Sequence, residues 1–210
     1  MEWTVSGLKF FEKLAVPEKI QFFLDSIPYS TDPIYRSPRS VIRDRRAHCF
    51  DGAVFAAAAL SELGFPPVII ELKAVRDDDH MLALFRRKGY WGAIGKSNCA
   101  GLRYREPIYR TLRELALSYF EFYFNIKSEK TLRGYSATLN LGIFDKYAWR
   151  FNDEAMDRIA DKLDTIRHYT LLTKSMISHL AIVDSRTYAA GMYGADEEGL
   201  YDPDKAGNGD

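Results

Sequence analysis

The sequence predicts an α+β protein: an alanine-rich helix, an antiparallel three-stranded meander and a helical C-terminal extension. Three observations predict it. The run "CFDGAVFAAAALSELG" (49–64) is helix-forming and closes on Gly64, with Pro66 and Pro67 blocking continuation. Three short apolar segments then succeed one another across the tight connections "RDDD" and "KG", which favours antiparallel pairing. Beyond residue 107 most segments carry helical periodicity.

Each element follows in chain order. The start reads as a short strand. "PEKIQFFLDSI" (17–27) reads as a helix with Pro17 at its first position and Ile20, Phe23, Leu24 and Ile27 on one face. Residues 28–40 hold three prolines, Pro28, Pro33 and Pro38, among polar residues and read as an extended loop. The basic stretch "IRDRRAH" (42–48) leads into the helix that starts near Cys49. The meander is "VIIELKAV" (68–75), "HMLALFRR" (80–87) and "YWGAIGKS" (90–97). A helix is expected over 107–125, a strand over 133–144, an amphipathic helix over 152–168, and one or two more helices over 169–194. Residues 201–210 read as a disordered tail. With no repeat and no linker, residues 1–200 are expected to form a single domain.

Composition narrows the function. Lys plus Arg and Asp plus Glu both number 29, so nothing global draws the chain to nucleic acid or an anionic membrane. Glu2, Lys9, Glu12 and Lys13 interrupt any leader-like apolar stretch, and no run approaches the roughly 18 apolar residues of a membrane span. Two cysteines, Cys49 and Cys99, are too few for a disulfide framework and fit reduced thiols in a cytoplasmic protein. No P-loop, HExxH, CxxC or GxGxxG occurs, and the aspartates at 77–79 lack the EF-hand spacing. No cofactor and no metal are expected.

Cys49 is where chemistry enters. A thiol among alanines can be a small core hydrophobe. At a helix N-terminus it can also be a nucleophile, because free N–H groups and the helix dipole favour a thiolate and can hold an oxyanion. His80, 80 − 49 = 31 residues on, opens an apolar strand that would fix it near that N-terminus. His48 is expected to point away from its neighbour Cys49. His168 and His179 fall in the extension, where solvated or capping roles are usual. Asp51 reads as a first-turn carboxylate, Asp77–Asp79 as a solvated turn or an acidic rim, and Cys99 as a bystander. The aromatic stretch "SYFEFYF" (118–124) reads as core, with Tyr119 or Tyr123 as alternative groove residues.

"AHCFDGAVFAAAALSELGFPPVIIELKAV", "DDDHMLALF" and "GYWGAIGKSN" resemble the papain-like transglutaminase core, in particular small bacterial transglutaminase-like proteins. The resemblance covers about residues 28–125 and leaves 126–200 as an extension. It implies a central helix packed on an antiparallel sheet, a Cys49 nucleophile, a His80 base and thioester chemistry on a peptide, protein or small amide. The family's third residue, usually an Asp four after a Trp, falls here on Gly95. Asn98, or less readily Ser97, is the replacement, since Asn can accept a hydrogen bond from an imidazole. The expected function is a cysteine amide hydrolase or acyl transferase. The alternatives are an inactive binding module that keeps the fold and, more distantly, an arylamine acetyltransferase-like enzyme.

Overall fold

The computed structural model describes residues 3–205. It is α+β, with a central helix laid on a seven-stranded sheet whose neighbours all pair antiparallel. The helix, Cys49–Glu62, is α4; α1 (Val5–Glu12), α2 (Pro17–Asp25) and α3 (Pro38–Asp44) precede it. The meander is β1 (Val68–Ala74), β2 (His80–Arg87) and β3 (Tyr90–Ile94). Strand β4 (Arg105–Tyr109) and helix α5 (Leu112–Leu117) follow. The extension supplies β5 (Leu132–Ser136), β6 (Leu139–Asn140), α6 (Glu154–Thr165), β7 (His168–Thr170), α7 (Lys174–Ile177) and α8 (Ser185–Met192). The sheet order is β4-β3-β2-β1-β5-β7, with β6 also on β1.

Both faces of the sheet are covered, which is why β1 and β2 read as nearly continuous apolar runs. Alternation along β2 sends Met81, Ala83 and Phe85 to the α4 side and Leu82 and Leu84 to the α5 side. The alanines of α4 let its backbone lie close to the sheet; Ala53, Ala56, Ala57 and Ala58 are fully buried. Gly64 at φ 83° then ends the helix in the left-handed conformation.

Four expectations are corrected. The N-terminal strand is the helix α1, capped by the Thr4 hydroxyl on the Gly7 amide. The helix expected over 107–125 is split: Pro107 lies in β4 at the sheet edge, where a missing N–H costs no ladder bond. A Thr111–Glu114 capping box starts α5 only after it. The strand expected over 133–144 breaks into β5, β6 and a 3₁₀ turn over Leu141–Tyr147. Of the tail expected to be disordered, residues 203–205 form a turn with Asp204 paired to Lys127, and residues 206–210 lie outside the described residues. Among the described residues, no helix is long and apolar enough to cross a membrane.

Candidate functional site

Cys49 is the first residue of α4, and its position is fixed by the residues on either side. His48 is the N-cap, and Asp51 closes the box by accepting from the His48 amide at 3.0 Å. Asp51 also accepts from the Arg36 amide at 2.8 Å and is fully buried, so desolvation raises its carboxyl above the ordinary range. It is a structural carboxylate. The His48 ring folds back onto the thiol instead of pointing away: Nδ1 lies 3.5 Å from Cys49 Sγ and accepts from the Phe50 amide at 3.5 Å. Burial lowers the His48 pKa and so favours its neutral ring. Cys49 Sγ also lies 3.8 Å from the Asp79 carbonyl. Tyr29 packs on His48 with ring centroids 5.5 Å apart; burial, then the neighbouring Cys49, push its hydroxyl well above the usual range.

His80 is the first residue of β2 and shares a cavity with Cys49. No hydrogen bond joins the two side chains among the described residues. His80 Nε2 sits 2.7 Å from the Leu102 carbonyl. A carbonyl only accepts, so Nε2 carries a proton, which in the neutral ring leaves the lone pair on Nδ1. The carbonyl comes from a 3₁₀ turn, Ala100–Leu102, which sequence patterns do not reveal. Gly95 makes room for it. A Cβ on residue 95 would stand 3.0 Å from His80 Nε2, 3.1 Å from the Leu102 oxygen and 2.8 Å from Leu82 Cδ2. The position that the resemblance reserves for an Asp is therefore filled by main chain.

Asn98 does not meet His80. Its Nδ2 donates to the Asp196 carbonyl at 2.8 Å and its Oδ1 accepts from the Asp196 amide at 2.8 Å, which occupies the side chain. Ser97 Oγ accepts from the Cys99 amide at 3.0 Å. Cys99 is a free thiol in the same cavity, pushed up to about 11 by burial.

The three aspartates are ordered parts of the cavity wall. Asp79 accepts from the Ala74 amide at 2.8 Å and pairs with Lys73. Asp77 accepts from Thr131 Oγ1 at 2.7 Å, and burial pushes its carboxyl up to about 6. The Asp78 carbonyl takes the Tyr123 hydroxyl at 2.7 Å, so Tyr123 is a wall residue, while Tyr119 is buried on the Arg103 carbonyl at 2.8 Å. His168 pairs with Glu71 at 2.9 Å and His179 with the Ser175 carbonyl at 2.8 Å, both away from the site.

No family model matches the chain, and no curated protein matches it. Among solved structures, Legionella pneumophila LapG aligns at a TM-score of 0.32 with 22% identity, covering 42% of this chain and 54% of that one. Its calcium-bound form aligns at 0.32 and 21%, covering 43% and 57%. Its EGTA-treated form aligns at 0.32 and 22%, covering 43% and 52%. The chain thus spans about half the length of the structures it matches.

Proposed function

We propose that the protein is a cysteine-dependent amide hydrolase or acyl transferase working through a Cys49 thioester. One observation carries the reading: His80 donates through Nε2–H to the Leu102 carbonyl, so in the neutral ring Nδ1 is the nitrogen left to accept, and His80 lines the cavity that holds the free Cys49 thiol. In the proposed reaction Nδ1 takes the thiol proton and the sulfur attacks an amide carbonyl carbon. The Cys49 backbone N–H, in the first turn of α4, stabilises the developing oxyanion. The imidazolium returns its proton to the leaving nitrogen, the C–N bond breaks and an amine departs. Water or a second amine, deprotonated by His80, then opens the thioester and restores the thiol.

Acetylation by p-nitrophenyl acetate tests this in a background carrying Gly199→Val, whose side chain has no room beside Asn98 and Tyr29 and so opens the cavity, with the acetyl group located by mass spectrometry. Acetyl is expected on Cys49, and its formation should fall at least tenfold in both His80→Ala and Gly95→Ala, the second by displacing the Leu102 carbonyl. An unchanged rate in His80→Ala overturns the reading. A second reading assigns the base to His48, favoured by its ring 3.5 Å from the sulfur. In that case His48→Asn, which keeps a helix cap, loses acetylation and His80→Ala does not.

A further inference from the structure

The cavity around Cys49 and His80 is walled in part by the chain's own later residues. Gly199, Leu200 and Tyr201 line it with Cys49, His80 and Tyr29, and a volume of about 60 Å³ remains. That space suits a few waters. Cys49 and His80 are each only 4% exposed.

The segment is held at its start through its backbone. Asn98 grips Asp196 through main chain alone, taking both the N–H and the C=O of one residue at 2.8 Å. This is how an amide side chain reads a peptide backbone without reading its side chains. Asp196 is in the extended conformation, and a single 3₁₀ turn over Glu197–Gly199 then carries the chain to Leu200, again extended. Gly199 enters a tight gap, where a Cβ would stand 3.0 Å from Asn98 Nδ2 and 3.1 Å from Tyr29 Cδ1. Further along, Asp204 pairs with Lys127 at 2.5 Å and approaches Arg76 at 4.0 Å. These outer ties are solvent-exposed ion pairs, the kind that opens locally while the sheet stays folded.

We infer that residues 196–201 occupy the protein's own peptide-binding cleft: the folded chain is latent, and the cleft takes a peptide gripped through its backbone by Asn98 with glycine beside Tyr29. The inference rests on the cysteine hydrolase reading for what is latent, whereas the closure is measurable by access to the thiol alone.

The experiment is iodoacetamide labelling of Cys49 at pH 7 in the full chain carrying Cys99→Ala, followed by mass spectrometry. Gly199→Val, which cannot fit the gap, should raise the rate at least tenfold with thermal unfolding still cooperative. A double variant, Arg76→Ala with Lys127→Ala, loosens the segment without touching the gap and should raise the rate as well. The synthetic peptide Asp-Glu-Glu-Gly-Leu-Tyr, added to the Gly199→Val chain, should slow labelling again. Rates within twofold of the parent in both variants overturn the closure. A peptide without effect overturns the assignment of the cleft to peptides. Faster labelling in Gly199→Val that is indifferent to His80→Ala upholds the closure and removes the catalysis, which separates the two failures.

Discussion

At the scale of residues, the site depends on small adjustments around two polar groups. Gly95 shows this for His80: the orienting group is a backbone carbonyl, admitted because no side chain stands at 95. The sequence shows that Gly95 cannot orient anything, but a main-chain acceptor seven residues later leaves no pattern. Asp77 offers a test of the wall. Its carboxyl titrates at about 6 in the folded chain against an ordinary 3.8, so between those values the folded state holds a proton that the unfolded chain has lost. Its stabilising contribution is therefore complete below pH 4 and is lost as the pH rises through 6. Asp77→Asn keeps an acceptor for Thr131 and should abolish that loss. Urea unfolding should show parent and variant alike at pH 4 and the variant more stable at pH 8.

At the scale of elements, α4 is the piece that everything else is fitted to. Its close approach to the strand end after β3 is set at Gly52, where a Cβ would stand 2.2 Å from Lys96 Cβ. Lys96 in turn donates to the Leu24 and Ile27 carbonyls at 2.8 and 2.6 Å, which ties the end of α2 beneath the site. Gly52→Ala should therefore destabilise by about 1–3 kcal/mol through overpacking. Helix propensity alone argues for a gain of about 1 kcal/mol; the sign of the change in a denaturant titration decides between them. Elements built from local signals were legible. The Gly64–Pro66 stop, the Pro17 start and the "KG" turn placed α4, α2 and the β2–β3 hairpin close to where they lie. The run over 107–125 misled because its helical periodicity is broken by an edge-strand proline and a capping box inside it.

At the scale of the whole molecule, the antiparallel sheet and its central helix were readable, while the closure of the site was not. The extension contributes strands as well as helices, since β5 and β6 pair with β1 and β7 with β5. Asn98 and Asp196 are 98 positions apart, and no local pattern joins them. The same distance is why the sequence points Asn98 at His80: it follows β3 closely, while its partner is far away in the chain. That Cys49 opens a helix and His80 opens a strand was legible, because both starts are local features. The most direct test of their partnership is the iodoacetamide rate at Cys49, at pH 7, in a chain carrying Cys99→Ala and Gly199→Val, measured with His80 and with His80→Ala. At least a tenfold slower reaction without the imidazole is the predicted result; equal rates in the two chains would contradict a Cys49–His80 catalytic pair.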